Sequence, residues 1–389
     1  MVLTSSHVRE IPVLFAVFIV IILLVGCATA PPKPDVEVPR GPSEVELYLS
    51  FGQDYLSKKA YGDAIKNFKR VLELDSLNFA AYSGLAAAYI GLTQPDSAFY
   101  SYKLAVAAAP DDPRGYAGLG YVVTEKGSYT EAITYYKKAL ELDSQMPEAA
   151  FGVGYAYLQL QQLDSAVTYL QMAERLDSTS LSIRYSLGEA YAKLGDYQRA
   201  IAELQQVVQS HPEEIKAHVL LGDAYFENRE YGNAIEVYET VVEYVPEYCT
   251  GWLKIGKCYE QLGDSQKAAE YYERSAQVDP NEPACFINLA SVYIKLGRYT
   301  GARQMAERAL QLDPDDTLPH VLLGDVYKKI ADLHASRNEH SDAIGEYRKA
   351  LIEYAKAQQD PIYGEYVRTE IKRVNIRIEK ERLKEMEEF

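Results

Sequence analysis

The sequence predicts an all-α protein in which pairs of helices stack side by side into one elongated solenoid. One pattern recurs every 34 residues, eight times without a gap, from Val45 to Asp316. In each copy a Gly or Ala precedes a recurrent alanine by twelve residues, and in all but one copy an aromatic follows that small residue by three. A fixed period of this length is typical of a stacked helical array and not of a compact enzyme core. The recurrent alanines are Ala64, Ala98, Ala132, Ala166, Ala200, Ala234, Ala268 and Ala302.

The N-terminal segment resembles the signal peptide of a bacterial lipoprotein. Residues 11–25 form an uncharged apolar run that is too short for a comfortable transmembrane helix and is typical of a signal-peptide core. The run ends in the sequence Leu-Val-Gly-Cys, whose cysteine is Cys27. The resemblance implies cleavage before Cys27 and a lipid on its sulfur. The alternative is a chance cysteine at the end of a membrane segment, since the preceding region has only Arg9 as a positive side chain and Glu10 cancels it.

A proline-rich stretch separates Cys27 from the repeats. Residues 28–44 contain five prolines and almost no large apolar side chains, which predicts an extended, semi-rigid tether. The predicted organisation of the chain is a signal peptide (1–26), a lipidated cysteine with its tether (27–44), eight gapless repeats (45–316), a ninth, extended repeat (317–361) and a C-terminal capping helix (362–389).

Each repeat predicts two helices joined by a tight turn. The small residue and the aromatic three positions later lie on one face of a first helix, and the recurrent alanine lies on a second helix. Antiparallel helices approach closely only where side chains are small, so we expect the Gly or Ala to face the alanine. Four glycines between the helices suit the left-handed position that ends a helix. These are Gly127, Gly195, Gly263 and Gly297.

Copies such as residues 184–214 (RYSLGEAYAKLGDYQRAIAELQQVVQSHPEE) resemble the tetratricopeptide repeat family through nearly every position. The resemblance covers 272 of 389 residues. It implies a right-handed superhelix whose concave groove holds a peptide or a helix of a partner protein. In a ninth copy the second helix comes seven residues late, which is close to two helical turns and leaves the buried face in register.

The same resemblance implies which residues line the groove. The second, fifth, ninth and twelfth positions of the first helices face the concave side in this family. Here the fifth and twelfth positions form a mostly apolar stripe, to which Tyr121 and Tyr155 add aromatic surface at the ninth position. Because no repeat has Lys at its fifth or Asn at its ninth position, a clamp for acidic peptide tails is not expected. An apolar or mixed peptide, or a helix, fits better, although idealised repeats also carry aromatics here without a ligand. The candidate patch is Tyr121, Phe151, Tyr155, Leu158, Tyr185, Val219 and Phe226.

The C-terminal segment predicts one long helix that covers the last repeat, as the end of a solenoid requires. Its apolar stripe stops at Ile378, and the residues beyond are expected to be too polar to bury much. A second docking helix is the alternative. The stripe consists of Tyr363, Val367, Ile371, Val374 and Ile378.

The net charge and the absence of catalytic motifs limit the classes of function that this chain can have. A formal net charge of −16 disfavours nucleic acid and anionic lipid surfaces as partners. The sequence contains no Gly-rich phosphate loop, no Gly-x-Ser-x-Gly and no His-Glu-x-x-His, and its histidines are scattered without metal-ligand spacing. We therefore expect no enzyme activity, no metal, no cofactor and no small-molecule substrate. For Cys258 and Cys285, buried thiols and a disulfide both fit the sequence.

Together these features predict a lipid-anchored scaffold that binds peptides or helices of partner proteins and assists assembly of a cell-envelope complex. The residue directly after Cys27 is Ala28, and in this respect the chain resembles a lipoprotein that is sorted to the outer membrane. The solenoid would then face the periplasm. The alternative is a regulatory subunit that activates a cell-wall or secretion enzyme.

Overall fold

The computed structural model describes residues 42–387, and every regular element within them is an α-helix, which confirms the all-α prediction. The predicted signal peptide and Cys27 lie outside the described residues. The first helices of nine pairs are α1 (Glu44–Ser57), α3 (Phe79–Gly91), α5 (Pro113–Glu125), α7 (Pro147–Gln159), α9 (Leu181–Leu194), α11 (Ile215–Glu227), α13 (Cys249–Gln261), α15 (Pro283–Lys295) and α17 (Leu318–Ser336). The second helices are α2 (Tyr61–Leu74), α4 (Pro95–Ala108), α6 (Tyr129–Leu142), α8 (Leu163–Leu176), α10 (Tyr197–Ser210), α12 (Tyr231–Tyr244), α14 (Ser265–Val278), α16 (Tyr299–Leu312) and α18 (His340–Ala357). A final helix, α19 (Gly364–Glu387), follows the ninth pair.

The array begins at a capping box. The Ser43 hydroxyl accepts a hydrogen bond from the Glu46 amide at 3.2 Å, and the Glu46 carboxylate accepts one from the Ser43 amide at 2.7 Å. Two amide groups that have no partner inside the helix are thereby satisfied.

The ninth pair, at the other end of the array, has longer helices than the pairs before it. Helix α18 begins 41 residues after α16. Because of this insertion, α17 has 19 residues and α18 has 18 residues.

The helices of a pair approach where the first helix has a glycine, but the contact differs from the expected one. A Cβ atom placed on Gly222 would lie 2.5 Å from the ring of Tyr238, and one on Gly52 would lie 2.6 Å from Phe68. The large side chain comes from one turn after the recurrent alanine. The side chain nearest to the glycine is therefore this large residue, and not the recurrent alanine.

The last helix covers the ninth pair through both apolar and charged groups. Val367, Val374 and Ile378 are buried against α18 and α17. Glu381 is also buried, and its carboxylate lies 2.6 Å from Nδ1 of His340. Apart from Glu381, to which the buried His340 gives a partner, little is buried beyond Ile378 as expected, since Leu383 and Met386 are 57% and 65% exposed. None of the helices within 42–387 has the length and hydropathy that a membrane span requires.

The turns inside the pairs use left-handed backbone. The four predicted glycines have φ between 72° and 80°. In five other pairs the corresponding residue is not glycine but still has positive φ. These residues are Lys59, Thr93, Gln161, Arg229 and Asn338.

Replacing Thr93 with glycine is expected to raise the free energy of unfolding by about 1 kcal/mol, because left-handed backbone costs a β-branched residue more than glycine. Part of the gain is offset by the greater freedom of glycine in the unfolded chain. Chemical denaturation measures the effect. The reciprocal change, Gly127→Thr, should lower stability by a similar amount. A Thr93→Gly variant that is no more stable than the parent would contradict the interpretation.

Candidate partner-binding groove

The first helices lie side by side along one surface of the solenoid. Helix α7 contacts α9, and α9 contacts α11. Each second helix packs against its own first helix and against the first helix of the next pair, as α8 does with α7 and α9. Side chains that point away from the second helices therefore line a shared surface, which we call the first-helix groove and which runs from α7 to α13.

Three adjoining cavities form this groove. Their volumes are about 470, 350 and 280 Å³. Tyr185 lines the first and the second cavity, whereas Asp223 and Glu227 line the second and the third. Because neighbouring cavities share walls, a ligand in one extends into the next without leaving the surface.

Three residues of the predicted patch line the groove. Phe151 and Tyr185 line its α7–α9 end, and Phe226 lines its α11–α13 end. The ring of Tyr155 packs against Phe151 with centroids 6.1 Å apart, and Val219 is partly exposed on α11. Aromatic surface is thus available at both ends of the groove.

Two residues of the predicted patch lie elsewhere. Leu158 is 0% exposed and belongs to the core between neighbouring pairs, so including it among contact residues was wrong. Its side chain is covered by the stacking of the next pair. Tyr121 is 44% exposed but lines a separate cavity of about 270 Å³ together with Ile90 and Pro95. The groove and the Tyr121 cavity are two distinct concavities.

Charged residues of the groove are missing from the predicted patch. Glu189 and Asp223 occupy the ninth position of their first helices, which Tyr155 occupies one repeat before Glu189 and two before Asp223. Lys257 occupies the same position in the next repeat, beside Lys254. The sequence could have predicted these residues, because Glu189, Asp223 and Lys257 follow Tyr155 by one, two and three periods of 34 residues. The groove therefore combines aromatic and charged side chains along its length, and more charged residues line its second and third cavities than its first.

The charged side chains of the second and third cavities are ordered by contacts within the chain. Asp223 accepts hydrogen bonds from the Tyr238 hydroxyl and from Nζ of Lys254. Burial raises the pKa of Tyr238, and the charge of Asp223 raises it further, so the hydroxyl keeps its proton and remains a donor. Glu189 pairs with Lys193 at 2.8 Å. A partner meets preorganised charges here instead of mobile side chains.

The structure brings three potential metal ligands together at the turn between α17 and α18. Ligand atoms of His334, Glu339 and Asp342 all lie within 4.8 Å of one another. The sequence prediction that the histidines lack ligand spacing misses this group, because the turn folds residues from two helices onto one another. Nδ1 of His334 and the Glu339 carboxylate are 2.5 Å apart, which gives the histidine a partner without an ion.

The cysteines within the described residues are free thiols. Burial raises the pKa of Cys258 to about 12 and that of Cys285 to about 11. Sγ of Cys285 lies 2.9 Å from the Ser275 hydroxyl. High pKa values leave little thiolate at neutral pH, so these side chains behave as small packing groups.

Three family models match the array. The tetratricopeptide repeat model matches residues 49–113, the model of anaphase-promoting complex, cyclosome, subunit 3 matches 125–207, and that of the cilia and flagella-associated protein 70 C-terminal domain matches 175–327. These matches and the paired helices identify the fold as a tetratricopeptide repeat solenoid.

The chain spans about a quarter or less of the length of the relatives that it matches in sequence. Tetratricopeptide repeat protein 37 of Xenopus laevis is 35% identical over 77 residues, which are 20% of this chain and 5% of that protein. Small glutamine-rich tetratricopeptide repeat-containing protein 2 of Mycosarcoma maydis is 31% identical over 91 residues, 23% of this chain and 26% of that protein. The solved structure of YrrB, a TPR protein with an unusual peptide-binding site, has 22% identity and a TM-score of 0.45 and covers 47% of this chain and 95% of YrrB.

Proposed function

We propose that this tetratricopeptide repeat solenoid is a lipid-anchored scaffold that holds a segment of a partner protein in the first-helix groove. In doing so it assists the assembly of a cell-envelope complex. The observation that supports this most is the continuity of the groove from α7 to α13, with half-buried aromatic side chains in its walls.

The residues of the groove differ from those that stacking requires. The packing positions repeat in every pair because each interface needs a small residue against a large one. Phe151, Tyr185 and Phe226 are only partly buried, and their register positions hold different residues in other repeats. Aromatic side chains that line a concave surface in this way are typical of binding sites.

The chemistry of the groove favours an amphipathic partner segment. Apolar residues of the partner would lie against the rings of Phe151 and Tyr185. Polar and charged residues would lie further along, between the acidic group Glu189, Asp223 and Glu227 and the basic pair Lys254 and Lys257. An amphipathic helix or an extended peptide with one apolar end satisfies both halves.

A photo-crosslinking residue at position 185 tests the groove in the full chain, in its native cells. We expect it to form a covalent adduct with an envelope protein, whereas the same residue at Tyr100, which is exposed on α4, should not. Adding Phe151→Ala and Phe226→Ala should reduce the adduct by about tenfold or more, because buried aromatic anchors dominate such interfaces. Equal adducts at both positions, or an adduct that survives loss of both aromatics, would refute the groove as the binding site.

Replacing Cys27 with alanine is expected to release the protein from the membrane fraction and to remove a lipid-sized mass, because the sulfur that accepts the lipid is gone. Membrane fractionation and mass spectrometry of the intact protein measure both effects. Cys249→Ala is the matched control and should remain membrane-bound. If the Cys27→Ala protein keeps its mass and stays with the membrane, the lipid anchor is excluded.

A further inference from the structure

A further concavity, separate from the first-helix groove and from the Tyr121 cavity, lies on the side formed by the second helices. Its volume is about 560 Å³, within the range of about 300–1,000 Å³ that is typical of ligand pockets. Helices α12 and α14 form its walls and Trp252 of α13 its floor, and we call it the Trp252 cavity. Its lining residues are Glu239, Val242, Glu243, Pro246, Trp252, Glu270, Tyr271 and Arg274.

The floor of the Trp252 cavity is a fixed aromatic platform. Trp252 is 8% exposed, and its indole N–H donates to the Pro246 carbonyl at 2.9 Å. Tyr271 stacks on Trp252 with centroids 6.2 Å apart and on Tyr259 with centroids 5.2 Å apart. The guanidinium carbon of Arg274 lies 4.2 Å from the centroid of the Trp252 ring. The platform therefore already carries a cation supplied by the chain itself.

The other repeats provide an internal comparison for this site. A polar side chain on a second helix bonds the tyrosine hydroxyl twenty residues later in several pairs, as Gln171 does with Tyr191 at 2.7 Å and Gln205 with Tyr225 at 2.6 Å. Glu239 stands at the corresponding position, but its carboxylate accepts from the Tyr271 hydroxyl at 3.3 Å. The regular contact between pairs is thus altered where the cavity lies, and Glu239 is turned toward its wall.

The rim of the cavity has an excess of negative charge. Glu239, Glu243 and Glu270 line it, and within residues 42–387 none of the three forms a salt bridge. Arg274 is the one cationic side chain in the lining. Aromatic faces and carboxylates both attract cations, and they are combined here in one concave site.

We propose that the Trp252 cavity binds an arginine side chain from an exposed segment of a partner protein, independently of the first-helix groove. A guanidinium stacks flat on an aromatic ring and donates to two carboxylates at once, which the more strongly hydrated lysine ammonium does less well. The incoming arginine takes the place of Arg274 on the Trp252 ring. Its neighbours in the partner lie against Val242 and Pro246.

The single tryptophan of the chain gives a local readout of this binding. The full protein is titrated with the peptide acetyl-Ala-Arg-Ala-amide while the emission of Trp252 is followed. The matched probe has citrulline, which is neutral and nearly the same shape, in place of arginine. We expect a saturable change with the arginine peptide only. An equal response to both peptides, or no saturable response to the arginine peptide, would overturn the proposal.

Two sets of variants separate binding from a structural role. The double variant Glu239→Gln, Glu243→Gln should bind the arginine peptide about three- to tenfold more weakly. Glu236→Gln, an exposed control on the same helix, should leave the affinity for this peptide unchanged. Arg274→Ala should strengthen binding by about two- to fivefold, because the chain's own cation no longer competes for the ring. Weaker binding after Arg274→Ala, or no effect of the double charge neutralisation, would show that the cavity does not act in this way.

Discussion

Replacing Glu370 with alanine is expected to lower the stability of the C-terminal end of the solenoid by about 3 kcal/mol and to loosen α19. Glu370 is 4% exposed, and its carboxylate accepts from Nζ of Lys328 at 2.9 Å. Breaking a buried ion pair from one side typically costs about 3–5 kcal/mol, since the remaining charge is left without its partner. We expect the lower end of that range because Asp325 still lies 3.0 Å from the Lys328 ammonium.

Hydrogen exchange of the backbone amides measures this effect, because a repeat array does not unfold as a single two-state unit. Protection should fall in α17, α18 and α19 and stay unchanged in α1–α8. Glu379→Ala is the matched control, since Glu379 lies on the same helix in an exposed pair with Arg382. Exposed pairs contribute about 0–1 kcal/mol. Equal loss of protection in the two variants would show that the buried pair does not dock the cap.

The same contacts predict how pH affects the cap. Burial alone raises the pKa of Glu370, but hydrogen bonds from Lys328 and Arg373 outweigh it and hold the pKa below its usual value. A carboxylate with a lowered pKa in the folded state stabilises fully above its unfolded pKa of about 4.3 and loses this contribution as pH falls through the folded value. The protection of α19 is therefore expected to fall below about pH 4. In the Glu370→Ala protein the acid-dependent loss of protection in α19 should be smaller.

Replacing Gly154 with valine is expected to destabilise the fourth pair by about 2–3 kcal/mol, the range typical of overpacked cores. A Cβ atom at this position would lie 2.7 Å from Cγ of Leu170 and 2.9 Å from its backbone nitrogen. A side chain can rotate away from such a contact, but a backbone atom moves only if α7 and α8 separate. The two added methyl groups increase the crowding.

Gly232→Ala is a control variant that is expected to change stability in the opposite direction. A Cβ at Gly232, in α12, meets nothing within 4 Å, so alanine should stabilise its helix by about 0.5–1 kcal/mol. Denaturation midpoints and exchange rates of the two variants measure the contrast. If Gly154→Val is as stable as the parent, close approach is not the reason that a glycine lies at this contact.

Part of the groove could be predicted from the family resemblance, which implied the groove-facing positions, together with the period that carries those positions from repeat to repeat. Phe151, Tyr185 and Phe226 line it as expected, because a fixed repeat places equivalent residues on the same side of every first helix. Leu158 shows the limit of this reasoning, since its position has different neighbours in each repeat and only their packing decides whether it is covered.

The sequence by itself determined the architecture of this protein. The 34-residue period of small and large residues is that of a pair of antiparallel helices. Each pair buries its apolar face against the next pair, which produces the solenoid. Tertiary structure alone decided the features that join residues far apart in the chain. The Lys328–Glu370 and His340–Glu381 contacts join residues 42 and 41 positions apart, and the Trp252 cavity combines three helices. Such contacts follow no period, because they depend on where the pairs bring individual side chains in space.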